Sequence, residues 1–162
     1  MTSTDFYRQK ALRAKELYDK GLPFVKVYAP VRDGDKFIVL EKHRNGKTTY
    51  DISGGGVEDG ETLEEAIKRE IKEELNIEVD AIKELGVYDK FYHPWKLDGE
   101  TFYIQYEIHV FDTKIKDEQR TKACVNGLDG EFNNDAIKIA RIDKKTLLSE
   151  VTEFKDFGIK ID

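Results

Sequence analysis

The stretch from Gly54 to Ile77 constrains this chain more than any other. Three consecutive glycines, Gly54 to Gly56, precede a segment from about Thr62 to Leu75 whose apolar residues recur with helical period. At about 100° per residue, Leu63, Ile67, Ile71 and Leu75 form one stripe that must be buried. Glu65, Lys68 and Lys72 fall on the opposite, water-facing side. Glu70 and Glu74 do not join that arc. They sit one helical turn apart at the edge of the apolar stripe, with Glu73 beside them. Any fold built on this segment buries one face of the helix and leaves three carboxylates at the margin of the core.

That placement is unfavourable by itself. Like charges at this spacing repel by roughly 0.2–0.5 kcal/mol per exposed pair, and by more when partly buried. Acids near a helix C-terminus also oppose the helix dipole. A bound cation resolves both problems. Oxygen-only ligands with water in reserve suit Mg²⁺, with Mn²⁺ as a substitute. The upstream glycines allow backbone to approach a ligand closely and to adopt positive φ. The expectation is a glycine loop packed against the acidic helix, with Gly54, Gly55 and Gly56 touching a phosphorylated substrate.

The rest of the chain supplies the setting. A length of 162 residues points to one domain spanning 1–162. Asp5 to Lys20 has helical spacing and stops at Gly21, making residues 1–21 a helical N-terminal extension. Pro23–Arg32 and Lys36–Glu41 are β-type runs joined by the turn Asp33-Gly34-Asp35, and Thr48–Ile52 is a further short strand. Ile82–Tyr92 and Thr101–Phe111 are longer runs, with Pro94 to Gly99 expected as their hairpin connection. Asp112–Asn134 is polar and poorly periodic, so a long loop is expected there. Ile137–Ile142 closes the set of strands, and Asp143 is placed to cap a final short helix. Strands on both sides of a central helix imply an α/β fold with a mixed sheet.

Charge and composition narrow the partners. A net charge of −6 offers no basic excess for non-specific binding to nucleic acid. It is compatible with a small phosphorylated substrate whose charge a cation offsets. With one cysteine, Cys124, no internal disulfide forms. No apolar run approaches a membrane span, and Met1–Lys20 lacks the core of a signal peptide, so a cytoplasmic location is expected.

The order of residues across Gly55–Ile77 resembles a known motif. It reads Gly55, five residues, Glu61, seven residues, then Arg69-Glu70-Ile71-Lys72-Glu73-Glu74-Leu75-Asn76-Ile77. This is similar to the Nudix box of the Nudix (MutT-like) hydrolases. The one defined position that departs is the last glycine, here Asn76, and asparagine is the usual second choice for the left-handed conformation wanted after a helix. Ser53 stands where many members have proline, which is expected to loosen the entry to the glycine loop.

The resemblance implies an α/β/α sandwich and hydrolysis of a nucleoside diphosphate linked to another group, with divalent cations. It implies Glu70, Glu73 and Glu74 as metal ligands, the Gly55 carbonyl as a further one, and Glu61 and Arg69 as groups that hold a ligand in place. The general base varies among members. It is a box glutamate or an acid outside the box that also binds metal, for which Glu131 is favoured over Asp135. An ADP-ribose signature proline is not at its place, although Pro94 is near it, and no coenzyme A signature precedes the box. That leaves a nucleoside triphosphate, including an oxidised one, or a nucleotide sugar. The alternative is a Nudix-fold module that binds a nucleotide or metabolite without turnover. Such domains typically lose box glutamates, and none is lost here. Family members are often homodimers.

Outside the box, Tyr50, Phe91, Tyr92 and Trp95 are candidates to stack a base, against the commoner role of sheet aromatics as core. Tyr50 and Tyr92 are the expected contacts, with Arg44, from the basic turn Lys42–Lys47, for phosphate. His43, His93 and His109 are scattered, and each reads as a polar surface or core residue, not a zinc ligand.

Overall fold

The computed structural model describes residues 2–125 and 137–162. Helix α1, Ser3–Asp19, leads into β1, Phe24–Ala29, and β2, Val31–Asp33. Then come β3, Lys36–Arg44, β4, Lys47–Asp51, and β5, Ser53–Gly56, followed by helix α2, Leu63–Leu75. Two long strands follow, β6, Val79–Leu97, and β7, Glu100–Ile115, then a 3₁₀ turn at Asp117–Gln119. Strand β8, Ile137–Ile142, and helices α3, Lys144–Glu150, and α4, Thr152–Lys155, complete the described chain.

The strands form one mixed sheet. β1 and β2 run parallel to β7, while β6 pairs antiparallel with the other edge of β7. β5 pairs antiparallel with β1, and β3 pairs antiparallel with β2, β4 and β8. Alternation along β3 shows why helices cover both faces. Phe37 and Val39 enter one core, and Ile38 and Leu40 enter the other. The first core takes Ala11, Ala14 and Leu17 of α1 together with Leu147 and Phe154 of the C-terminal helices. The second takes Ala66, Ile67, Ile71 and Leu75 of α2. This is the α/β/α sandwich that the resemblance implies, around the mixed sheet expected from the order of elements.

α2 begins and ends as its residues dictate. Thr62 accepts a hydrogen bond from the Glu65 backbone while the Glu65 side chain accepts one from the Thr62 N–H, a reciprocal cap. The helix stops at Asn76, which adopts φ 58°, the left-handed conformation expected of it.

Three expectations need correction. Pro94–Leu97 is not a connection: β6 continues through it, Trp95 pairs with Phe102, and the turn is Asp98-Gly99 alone. Those two residues have φ of 51° and 81°, which suffices for a tight hairpin, and β6 pairs only with β7 among the described strands, where a proline is tolerated. Residues Asp112–Ile115 are strand, not loop. Their polar groups are buried but satisfied, since Arg32 donates to Asp112 at 2.7 Å and Thr113 donates to the Pro30 carbonyl at 2.9 Å. Finally, Gly54–Gly56 form a strand against β1, and none of the three has positive φ.

Candidate active site

Space requires glycine at position 54, where a Cβ would stand 1.9 Å from the Val27 carbonyl oxygen. A Cβ on Gly55 would stand 2.5 Å from the carboxyl carbon of Glu70, so a side chain there would displace that carboxylate.

Arg69 organises that edge. Its Nε donates to Glu61 at 2.6 Å, and its Nη2 donates to Glu61 and to the Gly56 carbonyl, each at 2.9 Å. Its Nη1 donates to Glu70 at 2.9 Å and to Glu73 at 3.3 Å. The planar guanidinium thus ties the helix to β5 and to the loop before it, a geometry that lysine cannot reproduce. The Arg69 hydrogen bonds hold the Glu61 carboxyl below its usual range. Glu61 also accepts from the Glu58 backbone N–H at 3.1 Å.

Glu70 and Glu74 are partly buried and Glu73 is exposed, so the three acids run from the margin of the core to the mouth of a cleft. Burial raises Glu70, against the opposing hydrogen bond from Arg69. Burial also pushes Glu74 up to about 7, opposed by hydrogen bonds from Ser53 and the Gly54 backbone and reinforced by the charge of Glu70. Ser53 is fully buried and its hydroxyl donates to Glu74 at 2.8 Å. The residue expected to loosen the strand entry therefore fixes a box carboxylate.

The donor set is all oxygen, and two like-charged carboxylates are buried one turn apart, which suits a hard divalent cation. The acids are not gathered as a finished cage. Among the described residues no three His, Cys, Asp or Glu side chains form a ligating cluster. Glu70 and Glu73 are turned to Arg69, and Glu74 to Ser53.

Above these acids opens a cleft of about 780 Å³. Gly54, Gly55, Gly56, Arg69, Glu70, Glu73 and Glu74 all line it, whereas Arg44, Tyr50 and Tyr92 lie outside its lining. Arg44 is exposed at the end of β3, Tyr50 is partly buried against the α1-side core, and Tyr92 is 59% exposed. Glu131, Asp135 and the side chain of Phe91 lie outside the described residues. The aromatic lining comes from other positions: Phe24 and Tyr28 of β1, His93 and Trp95 of β6, and Tyr106 of β7. Their signal in the sequence is the alternation Phe24, Lys26, Tyr28, which puts one face of β1 beside Gly56 and Gly54 in register. His93, expected as an ordinary surface or core residue, lies edge-on to Trp95 at 5.3 Å and to Tyr106 at 5.8 Å. Burial and the nearby Lys26 lower its pKa. His43 pairs with Glu41, and His109 with Glu84 and Glu107, so the three histidines do not converge.

A family model described as "NUDIX domain" matches residues 22–140, most of the chain. The chain belongs to the Nudix family. It is 43% identical over 63 residues to a nucleoside triphosphatase, NudI, of Enterobacter sp. (strain 638), covering 38% of this chain and 45% of that protein. It is 35% identical over 86 residues to an ADP-ribose pyrophosphatase of Methanocaldococcus jannaschii, covering 51% of each. The chain thus matches about half the length of these curated relatives. Solved structures show the same Nudix fold. They include the MutT protein of Methanosarcina mazei Go1, with a TM-score of 0.51 at 20% identity over 78% of this chain and 82% of that one. A Nudix hydrolase of Nitrosomonas europaea gives 0.53 at 18% identity over 76% and 58%.

Proposed function

We propose that this Nudix protein hydrolyses a phosphoanhydride bond in a nucleoside diphosphate linked to a further group. Mg²⁺, or Mn²⁺ in its place, would be held by Glu70, Glu73, Glu74 and the Gly55 carbonyl, with Glu131 as a further ligand. The observation that carries this reading is the complete set of box carboxylates along one side of α2, facing the cleft across a strand of bare glycines. When bound there, a cation would supply polarisation of a phosphate oxygen and a lowered pKa for the attacking water.

The chain's own residues do the rest. Glu61 fixes Arg69, and Arg69 in turn orients Glu70 and Glu73. Ser53 orients Glu74. Lys10, Lys26 and Lys42 line the cleft among its acids, Lys42 paired with Asp51 at 2.8 Å, and bring cationic groups within reach of a phosphorylated substrate. The proton of the attacking water goes to a box glutamate, to Glu131 or to Asp135.

The substrate we favour is a nucleoside triphosphate, including an oxidised one, or a nucleotide sugar. A partial relative is named as an ADP-ribose pyrophosphatase, which supports adding ADP-ribose to the compounds tested. A panel of these compounds with Mg²⁺ and with Mn²⁺ tests the proposal. At least one is hydrolysed, and Glu74→Gln removes that turnover. Silence across the panel overturns the reading in favour of a domain that binds ligand without turnover.

A further inference from the structure

Helix α1 ends before the family-matched region begins at residue 22, yet Phe6, Tyr7 and Lys10 line the same cleft as the box acids. The helix is firmly seated. Ala11 and Ala14 are fully buried and Leu17 nearly so, and the two alanines let the helix lie close on the sheet. Thr2 and Asp5 form a reciprocal cap at its start. Arg8 reaches Asp98 in the β6–β7 turn at 2.6 Å, and Arg13 reaches Asp59 in the loop before α2 at 2.7 Å.

Contacts order the cleft from one end to the other. Lys26 stands beside Gly56 in the register of β1 and β5, and its Nζ lies 4.7 Å over the Tyr106 ring. The Tyr106 hydroxyl accepts a hydrogen bond from Trp95 Nε1 at 3.1 Å. The Trp95 ring lies 5.4 Å from that of Tyr7. Phe24 and Tyr28 lie beside the glycines as well, and the series of rings continues from Tyr106 through Trp95 to Tyr7, so it reaches from the box acids to α1. A nucleotide carries phosphates at one end and a planar base at the other, which matches acids at the glycine end and rings extending to α1.

An exposed tyrosine on a helix is ordinarily just a surface residue. Tyr7 differs in being held at two points. Its ring meets Trp95, and its hydroxyl accepts from the Lys96 backbone N–H at 3.2 Å. It is still 40% exposed and lines the cleft. Trp95 is buried, with its one donor committed to Tyr106, so it backs the Tyr7 ring and leaves Tyr7 as the exposed face.

We propose that α1 supplies a wall of the subsite for the substrate's nucleobase, with Tyr7 as the stacking residue against Trp95. This rests on the nucleotide hydrolysis proposed above. Tyr7 and Lys10 are then specificity-determining residues contributed from outside the family-matched region.

Trp95 is the sole tryptophan and therefore a built-in reporter. Nucleoside monophosphates, which contain no phosphoanhydride to cleave, are titrated with Mg²⁺ present, by calorimetry and by Trp95 emission. Ribose 5-phosphate serves as the same ligand without a base. In the unaltered protein at least one mononucleotide binds about tenfold or more tighter than ribose 5-phosphate and changes Trp95 emission. Tyr7→Ala erases that advantage and leaves ribose 5-phosphate binding unchanged, while Tyr7→Phe keeps most of it. An unchanged ratio in Tyr7→Ala, with hydrolysis of the panel intact, overturns the role of α1 alone. Mononucleotide binding without any change in Trp95 emission does the same. Failure of every mononucleotide to bind overturns the subsite, and if the panel is also silent, the proposed hydrolysis falls with it.

Discussion

At the box end of the cleft, the working groups come from one short stretch of chain and are locked by charge. Arg69 alone ties Glu61, Glu70, Glu73 and the Gly56 carbonyl together. At the other end, Tyr7, Trp95 and Tyr106 come from α1, β6 and β7, and ring contacts and neutral hydrogen bonds hold them. Charged, partly buried hydrogen bonds make the first end intolerant of change, because removing one partner strands another. The aromatic end loses only contact area when one ring is altered. In the proposed reading the contrast separates two tasks: the box end carries the chemistry, and the aromatic end selects what is brought to it.

The largest effect is expected at the box. Glu70→Gln keeps the shape of the side chain and removes its charge, so kcat on the best panel substrate falls by more than about a hundredfold, beyond the range typical of a supporting residue, with little change in KM. A loss confined to KM would erase the division of labour. Arg69→Lys comes next. It keeps the charge but loses the fork that spans Glu61 and Gly56, and kcat is expected to drop by about 10–100-fold. Activity near that of the unaltered protein would mean that the network is decorative.

A smaller effect concerns a carboxyl at neither end. Glu153 of α4 lines the cleft, and burial pushes it up to about 7, opposed only in part by a hydrogen bond from its own backbone N–H. The folded protein therefore keeps this proton at pH values where the unfolded chain, near its ordinary 4.5, has lost it. The associated stability is fully present below about pH 4.5 and is lost as pH rises towards 7. Denaturant unfolding at both ends of that window should show Glu153→Gln removing a decline of about 3 kcal/mol. Parallel profiles for the two proteins would reject the assignment. The smallest effect is at Asn76. Because the residue is already left-handed, Asn76→Gly should change unfolding free energy by no more than about 0.5 kcal/mol and leave kcat unaltered. A large loss would show that its side chain, which reaches the Lys122 carbonyl at 3.4 Å, matters more than its backbone.

The same contrast explains what could be read from the sequence. The box is contiguous and helical, so one period places Ile67, Ile71 and Leu75 in the core and Glu70 and Glu74 at its edge, where they are found. The mixed sheet follows from the order of elements, the sandwich from the resemblance, and the two-sided burial of β3 agrees with both. The aromatic wall is different, because it depends on register between distant strands. β6 carries irregularities in its pairing, one of them between Tyr88 and Phe91, and each such slip changes which residues share a face. The run Tyr92-His93-Trp95 therefore gives no reliable parity. The sequence favours Tyr92, yet His93 and Trp95 line the cleft. Asp112 and Thr113 read as loop because they are polar, and only Arg32 and the Pro30 carbonyl explain their burial in a strand. Ser53 misleads for the same reason, since its partner Glu74 lies on another element.

The central claim is that the acids along α2 work through a divalent cation on a phosphoanhydride. Phosphorus NMR of the best panel substrate tests it most directly, recorded with Mg²⁺, then with excess chelator, then after Mg²⁺ is restored. Cleavage to two phosphorylated products, arrest on chelation and recovery on readdition are expected, with Glu70→Gln silent throughout. Cleavage that continues in chelator, or that persists undiminished in Glu70→Gln, would contradict it.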